Sequence, residues 1–483
     1  MTTYREKEAK YLTKKERRKI PLQPMPEQNP DIRNKDFSEV TLGYSILDAQ
    51  YEAARCIQCK DPACVKGCPV GIDIPGFLEM IVEGDLNGSI NRVWEKTALP
   101  AVCGRVCPQE IQCEVVCVVG KRKNTAPVGI GNLEMFIADW ARASGVKNEV
   151  VIPPSTGKKV AVVGSGPAGI TVAGDLAKKG HEVTIYEAFH RAGGVLLYGI
   201  PEFRLAKNIV DYEIEQLKDL GVKIICNTVV GRTVDVDELM EDYGYDAVFI
   251  GVGAGLPNFL NIPGEDLNGV FSANEYLTRA NLMKAFDFPK YDTPIIPGRN
   301  VAILGAGNVA MDAARTAVRL GAKTVTIVYR RTREQSPSRH IEIHHAEEEG
   351  VQFKFLTSPL EFIGDSSGKL AGINCEKMKL GEPDEGGRSR PIPTGEHEYF
   401  DCDLAIIAIG TSANPLLTRT TEGLELNRWG NIEADTKTGK TTKKGVWAGG
   451  DITLGQATVI LAMGMGRDSA NSIDAYLRGE EEW

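Results

Sequence analysis

The stretch KKVAVVGSGPAG (158–169) decides the fold. Its apolar run reads as a buried parallel strand. Gly164-x-Gly166-x-x-Gly169 then reads as a turn whose backbone amides approach a pyrophosphate at a helix N-terminus. An amphipathic helix to Lys179 and the strand HEVTIYE (181–187) complete a strand–turn–helix–strand unit. Glu187, at the end of that second strand, is placed to accept hydrogen bonds from an adenosine ribose.

Outward along the chain the unit recurs: RNVAILGAGNVA (299–310), a helix to Leu320, then KTVTIVYRR (323–331). Here the fingerprint is Gly305-x-Gly307-x-x-Ala310, and no acid closes the second strand. Tyr329, Arg330 and Arg331 stand there, with Arg333 nearby. An acid would repel a 2′-phosphate, whereas arginines pair with one, so the expected nucleotide is NADPH. Its expected contacts are Gly305, Ala306, Gly307, Asn308, Val309, Ala310, Arg330, Arg331 and Gly410. The strands DAVFIGVGAG (246–255) and LAIIAIGTSANP (404–415) close the two units, and GVWAGGDITLGQATVILAMGMGRDSANSIDAYL (445–477) reads as strand, loop and helix.

FAD is expected at the first fingerprint, on Gly164, Ser165, Gly166, Pro167, Ala168, Gly169 and Glu187. Gly193, Gly194, Val195, Leu196, Gly199 and Ile200 supply small and apolar groups to lie against an isoalloxazine, and Gly253 ends a closing strand. Gly450 and Asp451 precede a helix, with Asp451 in reach of a ribityl chain. The helix start near Gln456, Ala457 and Thr458 aims its positive end at the pyrimidine side of a reduced flavin.

Eight of the eleven cysteines lie between 56 and 117, as Cys56-x-x-Cys59-x4-Cys64-x3-Cys68-Pro69 and Cys103-x3-Cys107-Pro108-x4-Cys113-x3-Cys117. Closely spaced thiolates on turns, with proline after the last or second cysteine, suit two [4Fe–4S] clusters. Zinc is the competing reading, since Cys56-x-x-Cys59 also suits it. Cys226, Cys375 and Cys402 are isolated and read as buried residues. The nucleotide-binding regions hold no Cys-x-x-Cys, which argues against a dithiol reductase.

The chain has 483 residues, 42% hydrophobic and 25% charged, which suits several globular domains. A net charge of −9 argues against nucleic acid as a partner. The run Lys14-Lys15-Glu16-Arg17-Arg18-Lys19 reads as a solvated arm able to brace a partner. The N-terminus has no secretory apolar region, and runs such as LAIIAI (404–409) are far short of a membrane span. The expected location is the cytoplasm, where clustered cysteines are metal ligands rather than disulfides. The expected class is α/β: an N-terminal helical iron–sulfur domain, then two Rossmann-like dinucleotide-binding domains, the FAD domain discontinuous and the NADPH domain inserted. Expected boundaries are an arm over 1–50, the helical domain 51–157, FAD 158–286, NADPH 287–409, and FAD again 410–483.

CIQCKDPACVKGCPVGIDIP (56–75), LPAVCGRVCPQEIQCEVVC (99–117), VGIGNLE (128–134), GGVLLYGIPEFRL (193–205) and AGGD (448–451) together resemble the glutamate synthase small-subunit family. Its relatives include the N-terminal region of dihydropyrimidine dehydrogenase and the large subunit of the NADH-dependent reduced ferredoxin:NADP+ oxidoreductases, electron-bifurcating transhydrogenases. GCPVGIDIPGF (67–77) and the arm segment 24–44 look closer to the latter. The resemblance implies one cluster on Cys56, Cys59, Cys64 and Cys117, another on Cys68, Cys107, Cys113 and Glu134, and Arg204 beside the FAD. On the residues alone, Cys103 is the simpler fourth ligand. CEVVC departs from the family's CEGxC, and Ser336-Pro337-Ser338 from its frequent Met-Pro-Ala. The implied activity is hydride exchange between NADPH and FAD, with single electrons passing through the clusters to ferredoxin and a ferredoxin–NADP reductase-like flavoprotein subunit. The alternatives are a glutamate synthase small subunit feeding an amidotransferase subunit and a non-catalytic redox assembly subunit. Hydride transfer needs positioning more than an acid or base, so no general acid or base is expected.

Overall fold

In the computed structural model the described residues are 5, 7–148, 150–384 and 388–483. The cysteines lie on loops between the helices α1 (Ile46–Ala54), α2 (Ile74–Glu83), α3 (Leu86–Trp94), α4 (Pro100–Val106) and α5 (Ile130–Ser144). Local chemistry sets these ends. The Asp73 carboxylate accepts from the Gly76 N–H at 3.2 Å to start α2, and Asp85 from the Gly88 N–H at 2.9 Å to start α3. Gly84 separates the two helices. Their apolar stripes, Phe77, Leu78, Ile81, Ile90 and Val93, are buried against α1 and α5.

The first fingerprint follows β1 (Lys159–Val163) and opens α6 (Pro167–Ala177). β2 (Glu182–Tyr186), β3 (Lys223–Ile225), β4 (Ala247–Ile250) and β15 (Val446–Ala448) join β1 in a parallel sheet of order β15-β4-β1-β2-β3. Val160, Ala161 and Val162 have no exposed surface, because helices cover both faces of the sheet. α7 (Lys207–Asp219) and the C-terminal α11 (Val459–Leu477) flank α6.

A second parallel sheet has the order β6-β13-β7-β8-β9, from Val270–Ser272, Leu404–Ile407, Asn300–Leu304, Thr324–Tyr329 and Gln352–Phe355. Its helices are α8 (Ala273–Asn281), α9 (Asn308–Arg319) and α10 (His340–Glu348). Since β6 and α8 belong here, the second unit begins well before the expected boundary at 286/287. Three residues, Val270–Ser272, are too short for a readable period, and only their pairing with β13 reveals them. The two crossings between units, β5 (Leu256–Pro257) and β14 (Thr411–Ser412), pair antiparallel. An antiparallel sheet β10-β11-β12 (Thr357–Gly364, Leu370–Pro383, Ser389–Asp401) grows from the second unit and was not legible in the sequence. Its outer strand is mostly exposed and carries charge rather than an alternating apolar pattern.

The arm is not simply extended and solvated. Thr13 and Glu16 form a capping box over Lys14–Arg17, and Arg17 pairs with Glu79 at 2.9 Å. Asn29 caps the turn Pro30–Arg33, and Arg33 is buried against the second unit. Among the described residues, no helix is long and apolar enough to cross a membrane.

Candidate functional site

Both fingerprint turns divide their work by position. Gly164 and Gly305 take positive φ, +98° and +128°, where a Cβ would meet a strand-end carbonyl at 2.6 and 2.2 Å. A Cβ on Gly169 would lie 2.0 Å from the Gly164 carbonyl oxygen, so this glycine packs the helix on its strand. Gly166 and Gly307, by contrast, face open space: the nearest atoms to an added Cβ are at 4.0 and 3.9 Å. That opening is where a pyrophosphate approaches the backbone. Among the described residues no side chain caps α6 or α9, which leaves the amides at their starts, after Pro167 in α6, open to an anion.

Around the first turn the structure assembles most of the residues expected at the flavin. Glu187 is buried; it accepts from the Ser165 N–H at 3.0 Å and the Phe189 N–H at 2.8 Å, and also from the Ser165 hydroxyl. The Ser165 Oγ in turn accepts from Gly193 N–H at 2.8 Å. A Cβ on Gly194 would reach Gly166 Cα at 2.9 Å, so the segment Gly193–Ile200 lies directly on the turn. Leu196 and Ile200 are buried and Val195 is partly exposed. Gly450 packs near Ala168, and burial pushes the Asp451 carboxyl up to about 6 while its Oδ1 accepts from Ala457 N–H at 2.9 Å. Thr458 caps α11 through Leu461 N–H. Gly253 has no neighbour within 4 Å of an added Cβ.

The two nucleotide sides meet at Gly410. A Cβ there would lie 2.4 Å from Gln456 Nε2, and the Gly410 carbonyl accepts from Asn258 N–H at 3.1 Å. Ala306 and Ala310 are buried in the second turn, whereas Val309 is exposed. Of the arginines after β8, Arg330 is exposed, Arg331 is buried with its Nε donating to the Ser389 carbonyl at 3.2 Å, and Arg333 pairs with Glu347. Arg330 and Arg333 both face solvent, but the Arg333 guanidinium is paired with Glu347. Arg204, expected beside the flavin, is tied to carboxylates of the second unit. It is buried between the units, with Nη1 on both Asp312 oxygens at 2.7 Å and Nε 2.9 Å from Glu342. The reason is charge: a buried guanidinium settles where carboxylates surround it.

Lys207 escaped the sequence reading. Fully buried, its Nζ donates to the Leu196, Ile200 and Leu205 carbonyls at 3.0, 2.5 and 2.9 Å, fixing the segment against the first turn. A lone lysine opening a polar helix gives no local signal of this.

The cysteines fall into two sets. Burial, and then the charges of Cys64, Cys117 and Cys59, push the Cys56 thiol up to about 12. Burial, Cys117 and Cys59 likewise raise Cys64 to about 11. Cys68 and Cys113 are raised first by burial and then within a different set: Glu134 and Cys107 act on both, and Cys68 on Cys113. Thiols so raised need a metal to become thiolates. Thiolates on one zinc stand about 3.8 Å apart, given a tetrahedron with Zn–S near 2.3 Å. Among the described residues, only Glu27, His345 and Glu348 bring three ligand atoms within 4.8 Å of one another, so neither cysteine set is drawn to zinc spacing. Glu134 is buried, burial alone pushes its carboxyl up to about 8, and its Oε1 has no hydrogen-bond partner among the described residues. An orphaned carboxylate oxygen facing cysteines suits a metal ligand. Cys103 lies in the same set: its hydrogen bond with Cys107 and then burial raise it, Glu134 acts on it too, and its thiol donates to Met463 Sδ at 3.6 Å.

Comparison with known proteins agrees with this arrangement. Residues 158–466 match the pyridine nucleotide-disulphide oxidoreductase family, and residues 33–146 match the dihydropyrimidine dehydrogenase domain II, 4Fe-4S cluster family. The chain is 36% identical to the glutamate synthase [NADPH] small chain of Halomonas elongata over 94% of its own length and 96% of that protein's. It is 39% identical to the NADP(+)-dependent formate dehydrogenase subunit beta of Moorella thermoacetica, covering 86% of this chain but only 60% of that one. The fold is shared with Mycobacterium tuberculosis FprA in complex with NADPH, at a TM-score of 0.56 and 24% identity over 68% of this chain and 87% of that one. With its 4Fe–4S domain joined to a two-unit nucleotide-binding body, the chain belongs to the glutamate synthase small-subunit family of pyridine nucleotide-disulphide oxidoreductases.

Proposed function

We propose that this chain is the NADPH-oxidising subunit of an electron-bifurcating transhydrogenase, with two [4Fe–4S] clusters. Two clusters are supported by the grouping of the cysteines: Cys56, Cys59, Cys64 and Cys117 lie within electrostatic reach of one another, while Cys68, Cys103, Cys107 and Cys113 gather at Glu134, whose Oε1 has no hydrogen-bond partner among the described residues. When bound, FAD exchanges hydride with NADPH and gives up electrons singly to the clusters. The chain's own part is positioning. Gly166 and the free amides of α6 hold the flavin pyrophosphate, with Glu187 on the ribose and Asp451 on the ribityl chain. Gly307 and the start of α9 hold the NADPH pyrophosphate, with Arg330 toward the 2′-phosphate. The close approach of Gly410 to Gln456 supports setting the two ring systems side by side. The proposed domains are the arm, the helical cluster domain, and an FAD unit of about 158–255 plus 413–483 that brackets the NADPH unit. The partners are a ferredoxin–NADP reductase-like flavoprotein and ferredoxin, in the cytoplasm. The motif GCPVGIDIPGF supports that choice.

A second reading, the small subunit of an NADPH-dependent glutamate synthase, is favoured by the end-to-end match to a glutamate synthase small chain. Anoxic native purification with mass identification of the co-purifying chain separates the two. A flavoprotein of the ferredoxin–NADP reductase type is the expected result. A glutamine amidotransferase-type synthase subunit would overturn it.

A further inference from the structure

The departure Ser336-Pro337-Ser338 sits against the second nucleotide turn. The Ser336 hydroxyl donates to the Ala306 carbonyl at 2.6 Å, and the Ser338 hydroxyl to Asn308 Oδ1 at 2.9 Å. The same Asn308 oxygen accepts from the Arg339 N–H at 3.0 Å. The backbone of Arg339 is thus fixed to the first residue of α9, while its side chain leaves the nucleotide unit and enters the cysteine domain. There Nε donates to Glu110 at 3.0 Å, Nη1 to the Arg105 carbonyl at 3.1 Å, and Nη2 to Gln109 Oε1 at 2.9 Å.

Gln109 lies between Cys107 and Cys113 and is buried. Its Nε2 donates to the Cys103 and Gly104 carbonyls at 3.1 and 3.3 Å, and its own carbonyl accepts from Glu114 N–H at 2.9 Å. A Cβ on Gly131 would fall 2.2 Å from Gln109 Nε2, so this amide also packs on the helix that carries Glu134. The Arg339 hydrogen bond orients the amide, and the amide orients the loop. All three guanidinium nitrogens are used, an arrangement that a point-charge lysine cannot reproduce.

We propose that Arg339 is a positioning residue that clamps the nicotinamide-nucleotide turn and the Cys107–Cys113 loop into one unit. The iron–sulfur centre of that loop is thereby tuned by a residue of the other domain. This rests on reading Cys68, Cys107, Cys113 and Glu134 as cluster ligands.

The test uses the intact holoprotein, purified without oxygen. Three quantities are measured: the electron paramagnetic resonance signal of the reduced protein, the midpoint potential of that signal, and the KM for NADPH with ferricyanide as acceptor. Arg339→Gln is expected to shift the signal and the potential and to raise the KM about two- to tenfold, the loss of one or two hydrogen bonds. Arg339→Lys should restore part of the KM but not the signal. Gln109→Leu should move the signal and leave the KM alone, and Ser338→Ala should do the reverse. These two milder variants carry the test if Arg339→Gln does not accumulate. An unchanged signal and potential in Arg339→Gln or in Gln109→Leu overturns the proposal. A native protein with no iron–sulfur signal overturns the ligand reading beneath it.

Discussion

Glu134 shows how much a single buried atom can say. Its carboxylate has one oxygen with no hydrogen-bond partner among the described residues, in a site where burial already disfavours the charge. Such a group is costly as a bare carboxylate, and a metal ion is one partner that would offset the cost. If it completes a cluster, Glu134→Ala should lower iron from about eight to about four atoms per chain. Glu134→Gln should keep the iron, because an amide oxygen can still ligate. Cys103→Ser should also keep it, since that thiol donates to Met463 Sδ at 3.6 Å. Loss of iron in Cys103→Ser, with Glu134→Ala unaffected, would reverse the assignment. Colorimetric iron analysis on anoxic protein decides this.

Each strand–turn–helix unit separates folding from binding by glycine position. Gly166 and Gly307 have extended backbones that any residue adopts, and open space beyond. Gly166→Ala should therefore fold with a melting temperature near that of the parent and lose bound flavin, read from absorbance. Gly307→Ala should keep its flavin and raise the KM for NADPH about tenfold or more, as a methyl group enters the pyrophosphate's approach. Gly169→Ala should behave in the opposite manner: the added Cβ meets the Gly164 carbonyl at 2.0 Å, an overpacking that costs about 1–3 kcal/mol of stability. A Gly166→Ala protein with full flavin content would refute the assignment of the first turn.

At the scale of the molecule, an NADPH-dependent flavin and iron–sulfur oxidoreductase is bound together by a buried ion-pair network. Arg33 of the arm pairs with Glu348 at 2.6 Å and Glu349 at 3.0 Å. Arg204 joins Asp312 and Glu342, and Arg315 and Arg319 close on Glu342 and Glu349. The Phe203 ring lies under Arg319, 3.8 Å from the guanidinium carbon, with Arg315 at 4.7 Å. Removing one partner strands the rest, so Arg204→Met should cost about 3–5 kcal/mol in denaturant unfolding. The network also sets an acid limit. Burial pushes Glu342 and Glu349 upward, but the guanidinium groups around them win and hold both at about 2. The folded values of Glu342 and Glu349 are below the ordinary 4.5, so the stability these two contribute is fully present above pH 4.5 and is lost as pH falls through about 2. Burial pushes Asp312 in the same network up to about 6 and gives it no share in that window. The unfolding midpoint should fall steeply across that window, and less steeply in Arg204→Met. A flat profile would mean the pairs contribute nothing net.

Local pattern in the sequence was enough to determine the two nucleotide turns, the strands beside them and the cysteine domain as a helical unit. Each is written in a period, a cap or a spacing that a few neighbouring residues enforce. Burial, partnership and chain crossing were decided only by the tertiary structure. It moved β6 and α8 into the second unit, because a three-residue strand is defined by its partner rather than its own pattern. It set Arg204 on Asp312, took Arg331 inward to Ser389, and folded the arm through Arg33 onto the second unit. It also brought Lys207 and Arg339 to positions that no motif marks, and gave Gln109 partners that its motif does not specify. Charges and amides choose partners by desolvation and distance, and those are properties of residues far apart in the chain.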